Sequence, residues 1–202
     1  MLALGRTGGA RAVTVHHQSV LQQIPGTGAA LLSMRAVAEF PARGAAALRL
    51  PAADGVIEAS VPRGRADEHL DADGFPTFEG TFGLGARRAF GSEAVVQAKL
   101  LAVDERSGSV RIENRSPYTM ETCRLANGLR PSVVDGLPPG GVIEAVRSPD
   151  DGSSLLGPLV LCTTSDAAAP LTSADRPVIM RGTTIVAAYL PRHPPSEESG
   201  AP

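Results

Sequence analysis

Residues 109–146 read SVRIENRSPYTMETCRLANGLRPSVVDGLPPGGVIEAV, and this stretch decides the fold. Its first residues alternate between apolar and polar side chains, which is the period of a half-buried strand. Pro117 then ends the strand, because its ring fixes its own φ and biases Ser116 away from the helical region. Extended segments resume beyond it, over 120–126, 129–134 and 142–146. The stretch therefore predicts short antiparallel strands joined by turns.

Glycine-rich segments supply the predicted reversals of this stretch. Asn127-Gly128 predicts a tight hairpin turn, since both residue types tolerate a positive φ. Residues 136–141, Gly-Leu-Pro-Pro-Gly-Gly, predict the next turn. On the N-terminal side, residues 105–108 predict a hairpin that joins a long strand over 94–104 to the first strand of the stretch.

The spacing of the polar residues carries a resemblance to a known kind of module. The order is Asn-x-Ser-x-Tyr-x-Met-x-x-Cys over 114–123, a short strand, Leu-Pro-Pro-Gly-Gly over 137–141, and a further strand. This order resembles an immunoglobulin-like module of bacterial extracytoplasmic and membrane-anchored proteins, most closely over 109–146 and more loosely over 93–191. The resemblance implies a β-sandwich and a cell-surface setting, and it implies no active site. The chain departs from the pattern at 128–131, where the module would have a longer apolar strand.

The rest of the chain repeats the pattern of short, turn-bounded apolar segments, which predicts an all-β protein. We expect two β-sandwich-like lobes, or one elaborated sandwich, with an immunoglobulin-like C-terminal lobe. The predicted divisions are an N-terminal β domain over 1–91, the immunoglobulin-like domain over 92–191, and a disordered tail over 192–202. The tail is rich in Pro, Ser and Glu, a composition that does not support a packed core.

The N-terminal half gives three further expectations. Residues 29–40 suit a helix by their Ala and Leu content, but their short, turn-bounded neighbours favour a strand. Residues 44–50 and 56–61 predict a hairpin around Asp54-Gly55. Residues 62–76 are charged and polar, which predicts a long exposed loop.

Composition excludes several classes of partner. The chain has 19 basic and 21 acidic residues and a net charge of −2, so it has no broad positive field to attract nucleic acid. Tryptophan is absent and aromatic residues make up 3% of the chain, so stacking platforms for bases or sugars are scarce. No apolar run approaches the roughly 18 residues that a transmembrane helix needs. We therefore expect no nucleic-acid partner and no transmembrane segment in this chain.

The resemblance and the composition together suggest a role. We expect a non-enzymatic structural or protein-interaction module of a bacterial envelope protein, located outside the cytoplasm, with a cytoplasmic location as the alternative. Its partner would be another protein or other parts of a larger envelope protein. The sequence leaves the oligomeric state open.

Cys123 and Cys162 each lie in a predicted strand. One interpretation is a disulfide between strands of a sandwich, which is a familiar device of extracytoplasmic proteins. The other is a pair of separate buried thiols, because a free cysteine packs well as a small hydrophobe. Spacing alone does not decide between them.

The segment over 67–74, Asp-Glu-His-Leu-Asp-Ala-Asp-Gly, is the candidate cation site. The carboxylates of Asp67, Asp71 and Asp73 could supply the oxygen ligands that calcium prefers. With calcium as a cofactor, the chain would be a carbohydrate-binding or small-ligand-binding domain. The spacing does not follow the EF-hand pattern, and a solvated acidic loop without a cofactor is the competing interpretation.

No catalytic residues are predicted. The sequence contains no Gly-x-Ser-x-Gly, and Lys99, the single lysine, has Val96 three residues earlier where a Ser-x-x-Lys pair needs serine. His16 and His17 are adjacent, so on a strand they face opposite sides and do not converge on one metal ion. An enzyme would instead need a pocket that joins a histidine to several carboxylates.

Overall fold

The computed structural model describes residues 11–41, 43–50, 56–60, 66–106, 109–126, 128–148, 159–166 and 171–189, and the regular structure within these ranges is β-strand throughout. In chain order the strands are β1 Val13–Gln23, β2 Ala29–Phe40, β3 Gly44–Arg49, β4 Val56–Ser60, β5 Ala66–Leu70, β6 Pro76–Phe82, β7 Ala86–Gln97, β8 Leu101–Arg106, β9 Ser109–Asn114, β10 Met120–Leu125, β11 Leu129–Arg130, β12 Val133–Leu137, β13 Val142–Arg147, β14 Val160–Thr164 and β15 Val178–Ala188.

The strands form three sheets. The first has the hydrogen-bonded order β12-β10-β14-β15-β1-β2-β7-β4, the second β11-β13-β9-β8 and the third β3-β6-β5. Strand pairs such as β8 with β9 and β10 with β14 are antiparallel. The protein is therefore an all-β sandwich, which confirms the predicted fold class.

The chain divides into two compact units, each assembled from three segments. Unit 1 comprises Met1–Val20, Leu31–Val96 and Ser165–Thr184, and unit 2 comprises Leu21–Ala30, Gln97–Thr164 and Ile185–Pro202. These units differ from the predicted domains over 1–91 and 92–191, because β1 and β15 each contribute residues to both units. The predicted tail over 192–202 lies outside the described residues.

The alternation predicted for the first strand of residues 109–146 is present in β9. Val110 and Ile112 are fully buried, while Ser109 and Arg111 are exposed. β13 repeats the alternation and pairs with β9, so that buried residues of both strands share one face of the sheet. β8 also pairs with β9, with Arg106 opposite Ser109, which confirms the predicted hairpin.

The chain turns at the place predicted from Asn127-Gly128, since the Leu129 N–H donates to the Ala126 carbonyl at 3.3 Å, but the residues that follow do not pair directly with β10. Strand β11 follows Gly128 but pairs with β13, where Arg130 lies opposite Val146, and so joins a different sheet from β10. The chain returns to β10 only after a cis peptide bond between Arg130 and Pro131, and β12 then pairs with β10. An Asn-Gly pair permits a tight turn, but the long-range partner of β11 decides where the chain goes next.

In unit 1, the turn residues of the sequence also led to wrong predictions of which strands pair. Strand β3 pairs with β6 and strand β4 pairs with β7, so the predicted hairpin of 44–50 with 56–61 is wrong. The predicted loop over 62–76 contains β5, which pairs with β6 with Leu70 opposite Pro76. The predicted strand over 94–104 is two strands, since β7 ends at Gln97 and β8 begins at Leu101. The strand predicted over 29–40 is confirmed as β2.

Unit 1 has an aromatic and aliphatic core. The rings of Phe40 and Phe82 are stacked with their centroids 3.8 Å apart, and the ring of Phe78 lies 6.0 Å from that of Phe82. Leu32 and Leu48 are also buried. Each such side chain contributes about 1.5–3 kcal/mol when it leaves water, so these few large residues supply much of the stability of this unit.

Candidate functional site

The candidate cation site forms a tight turn between β5 and β6. The carboxylate oxygen Oδ1 of Asp71 accepts hydrogen bonds from the backbone N–H groups of Asp73 (3.0 Å) and Phe75 (2.9 Å). Gly74 has φ of 82°, a conformation that favours glycine, and its N–H donates to the Asp71 carbonyl. Asp71 therefore shapes this turn through its side chain, in the manner of an Asx turn.

Arg49 at the end of β3 neutralises two of the predicted calcium ligands. Its Nε lies 2.7 Å from Oδ2 of Asp71, and its Nη2 lies 2.9 Å from Oδ2 of Asp73. The guanidinium also lies over the Phe75 ring, 3.9 Å from the centroid. The side chain of the third predicted ligand, Asp67, lies outside the described part of the chain. The structure thus brings Asp71 and Asp73 together around a cation that the protein itself provides.

Cys123 on β10 and Cys162 on β14 are joined by a disulfide bond. The two residues lie directly opposite each other in the register of the two strands, and both are fully buried. The bond links neighbouring strands of one sheet, whereas the bond of antibody domains links two sheets. It closes a chain segment of 39 residues in sequence separation.

The buried side-chain amide of Asn114 forms hydrogen bonds to the other residues of the Asn-x-Ser-x-Tyr motif. Nδ2 of Asn114 donates to the carbonyl oxygens of Tyr118 (2.8 Å) and Leu137 (3.0 Å). Oδ1 accepts from the backbone N–H (3.0 Å) and hydroxyl (2.6 Å) of Ser116. The side chain thus uses all four of its hydrogen-bonding positions. Sequence reasoning identified the motif but missed this role, because Leu137 is 23 residues away.

The backbone of Asn114 extends the same connection to the Pro-Pro-Gly-Gly turn. Its N–H donates to the carbonyl of Gly141 at 2.9 Å, and its carbonyl accepts from the N–H of Gly140 at 2.7 Å. Gly140 has φ of 74°, as the third residue of a turn closed by the Gly141 N–H and the Pro138 carbonyl. The two parts of the motif therefore form one hydrogen-bonded structure.

The adjacent histidines of β1 face opposite sides of the strand, as the sequence predicts. His16 is exposed, whereas His17 is 4% exposed, and its Nδ1 lies 3.0 Å from the hydroxyl of Ser19. Nε2 of His17 is buried and has no hydrogen-bond partner in the described part of the chain. A side chain at Gly182 would collide with the His17 carbonyl oxygen, so β15 packs closely against this position.

We expect unit 1 to lose stability in mild acid because of His17. Burial lowers the pKa of His17 below its ordinary value of 6.5, so the folded protein binds fewer protons than the unfolded chain. Its contribution is complete above about pH 6.5 and is lost as the pH falls through the lowered pKa. Melting temperatures between pH 8 and pH 5 measure the effect, which His17→Asn should reduce. The matched control is His16→Asn, and an equal change in both variants would contradict the prediction.

A row of alternating charges crosses the second sheet. Asp104 of β8 lies opposite Arg111 of β9, which lies opposite Glu144 of β13. Nη1 of Arg111 is 3.3 Å from Oε1 of Glu144. Together with Ser109, these residues line an open cleft of about 340 Å³ on the exposed face of the sheet. The row carries two carboxylates and one guanidinium, so its formal charge is negative.

The described residues contain no cluster of three or more His, Cys, Asp and Glu side chains arranged to bind a metal ion. This part of the chain also contains no helix of the length and hydrophobicity needed to cross a membrane. A scan of protein-family models and a search of curated proteins both give no match for the chain.

Proposed function

We propose that this chain is a non-enzymatic structural or protein-interaction module of a bacterial envelope protein, located outside the cytoplasm. The observation that carries the proposal is the buried bond between Cys123 and Cys162. Disulfides persist in oxidising compartments and are rare where glutathione and thioredoxin keep thiols reduced. A domain stabilised in this way is suited to the periplasm or the cell surface.

The strand arrangement of unit 2 supports the immunoglobulin-like part of the proposal. Strands β8 to β14 lie in two sheets: β12, β10 and β14 form one end of the eight-stranded sheet, and β11, β13, β9 and β8 form the four-stranded sheet. Immunoglobulin constant-type domains likewise divide seven antiparallel strands into groups of four and three. Such sandwiches serve widely as structural and interaction modules, and the fold alone specifies no chemistry.

A thiol assay tests the compartment. We expect the chain, exported behind a secretory signal and purified without reductant, to contain no reactive thiol even after unfolding in denaturant. Reduction before alkylation should expose two thiols, since the chain has two cysteines. The same chain expressed in the cytoplasm and unfolded under alkylating conditions is the comparison. Two thiols that react in the unfolded, exported protein before reduction would contradict the proposal.

Calcium-assisted binding of a carbohydrate or small ligand is the second candidate. The convergence of the Asp71 and Asp73 carboxylates on one cationic group favours it, because a divalent cation needs such convergent oxygens. Calcium at this place would have to displace the guanidinium of Arg49, since two cations cannot share the same carboxylate oxygens at close range. The first candidate therefore requires no calcium, and the second requires exchange of Arg49 for calcium.

Thermal melting with millimolar calcium separates the two candidates. We expect no shift in the wild-type melting temperature, because Arg49 already neutralises Asp71 and Asp73. Arg49→Gln should expose the two carboxylates to solvent cations, and magnesium at the same concentration controls for ionic strength. An increase of several degrees for the wild-type protein, specific to calcium, would instead support the binding domain.

A further inference from the structure

We propose that the outer edge of β8 accepts an extended segment of a partner protein, which adds as a further strand and places a lysine or arginine opposite Asp104. The proposal rests on the interaction role argued above and identifies the surface that performs it. It also specifies the chemistry of the partner, which is a strand with a central basic residue.

Strand β8 forms one edge of the second sheet in the described part of the chain. All six of its residues pair with β9 in an unbroken register, and no described strand pairs with its other side. The opposite edge of the same sheet is β11, which has two residues and is followed by Pro131. Strand β12, at the edge of the first sheet, contains Gly136 with φ of 70°. β8 has no proline, glycine or lysine, but three of its six residues, Asp104, Glu105 and Arg106, are charged. Charged side chains at an edge disfavour an added strand unless that strand brings opposite charges.

The hydrogen bonds next to β8 fix which of its backbone groups point outward. The N–H of Arg115 donates to the carbonyl of Leu100 at 2.8 Å, and the same register continues into β8. Because bonded and non-bonded pairs alternate in an antiparallel ladder, Leu101, Val103 and Glu105 direct their backbone groups away from β9. The Leu101 N–H already donates to Oε1 of Gln23 at 3.3 Å. Val103 and Glu105 therefore present the outward N–H and carbonyl groups on which a strand can add.

The row of charged side chains across the sheet favours a basic residue on the added strand. From the edge inward, the row reads Asp104, Arg111 and Glu144, with charges that alternate in sign. Asp104 directs its backbone toward β9, so an added strand meets it in a non-hydrogen-bonded pair, where opposite side chains are closest. A lysine or arginine there continues the alternation, whereas an acidic residue meets a like charge. The cleft of about 340 Å³ beside Asp104 gives a long basic side chain room to lie against the sheet.

Two synthetic peptides test the proposal. The probes are Ser-Thr-Val-Thr-Lys-Thr-Val-Thr-Ser and the same peptide with a central glutamate. We expect the lysine peptide to bind about three-fold to ten-fold more tightly, as measured by fluorescence anisotropy. Amide hydrogen exchange should slow at Val103 and Glu105. The N–H groups of Ala102 and Asp104 already face β9 and should change little.

Substitutions on β8 separate edge addition from binding elsewhere. Val103→Pro removes one outward N–H and no bond to β9, so it should weaken binding of the lysine peptide at least about ten-fold. Ala102→Pro is the contrasting variant, since it removes a bond of the existing ladder and should destabilise the sheet. Asp104→Lys keeps the backbone intact and should reverse the preference toward the glutamate peptide. If Val103→Pro does not fold, Asp104→Lys still tests the proposal.

Three results would overturn the proposal. The first is that neither peptide binds at millimolar concentration, and the second is that Val103→Pro and Asp104→Lys both leave binding unchanged. The third is a dimer in sedimentation that Val103→Pro abolishes, which would assign the edge to a second copy of the chain. None of these results alters the thiol assay, so failure here is distinguishable from failure of the proposed compartment and role.

Discussion

Replacing Cys123 and Cys162 together by alanine is expected to lower the free energy of unfolding of unit 2 by about 4 kcal/mol. The bond joins positions 39 residues apart, and the chain-entropy relation for a closed loop of that length gives a stabilisation of this size. A domain of ordinary stability has only about 5–15 kcal/mol in total, so the loss would leave unit 2 marginal. Urea unfolding followed by circular dichroism measures the change.

Reduced wild-type protein is the matched control for this double substitution. Reduction removes the covalent link but keeps both sulfur atoms, so it separates the effect of the link from the small loss of packing at two buried positions. Native-state amide exchange should report faster opening in β10 and β14, where the bond lies, than in the strands of unit 1. An unchanged urea midpoint in both the double variant and the reduced protein would contradict the prediction.

The sequence predicts local structure in this chain well where the burial pattern depends on a single strand. In β9, Val110 and Ile112 alternate with exposed neighbours because period-two burial is a property of each strand alone. The opposite faces of His16 and His17 follow from the same rule. The all-β class follows from many such segments bounded by glycine and proline.

Strand partners could not be predicted in the same way, because they depend on residues far apart in the chain. Ala46 and Leu48 of β3 are buried, and β3 pairs with β6, which two other strands separate from it in the sequence. The short segment at Leu129 pairs with β13 near Arg147, and no local signal distinguishes this from a hairpin at Gly128. Antiparallel strands with similar aliphatic faces are interchangeable at the level of pattern, so only the packed structure selects among them.

The candidate cation site illustrates the same limit at the level of side chains. Asp71 and Asp73 are only two residues apart, and the sequence therefore places them in one acidic segment. Arg49, which pairs with both, lies 24 residues before Asp73 and belongs to another strand. A neutralising partner at such a distance has no sequence signature. The partners of a disulfide were easier to identify, because the chain contains only two cysteines.

Asn114→Ala is expected to destabilise unit 2 by about 3–5 kcal/mol. The substitution removes the side-chain partner of the Leu137 carbonyl and the Ser116 N–H. The Tyr118 carbonyl and the Ser116 hydroxyl also lose Asn114 but keep their 3.3 Å hydrogen bond to each other. Each buried polar group that loses its hydrogen bond costs about 1–3 kcal/mol, although a residual cavity can admit water and reduce the total. Thr119→Ala is the control, since Thr119 is exposed in the same connection. Equal urea midpoints for the two variants would contradict the assignment of Asn114 as the central group.

Asn114→Asp tests which half of the amide matters, and it is expected to destabilise unit 2 more at pH 7 than at pH 3.5. The new carboxyl keeps an oxygen for Ser116, but it points a second oxygen at the carbonyls of Tyr118 and Leu137 where Nδ2 donated two bonds. Burial without a donor raises the pKa of a carboxyl, so the folded state favours the protonated form, which can still donate one bond. The destabilisation should therefore be smallest below the unfolded pKa of about 4 and should grow as the pH rises toward 7. The wild type has no such pH dependence at this position, because an amide does not titrate. A variant whose unfolding free energy, relative to wild type, does not change between pH 3.5 and pH 7 would indicate that Nδ2 of Asn114 does not hold these carbonyl groups.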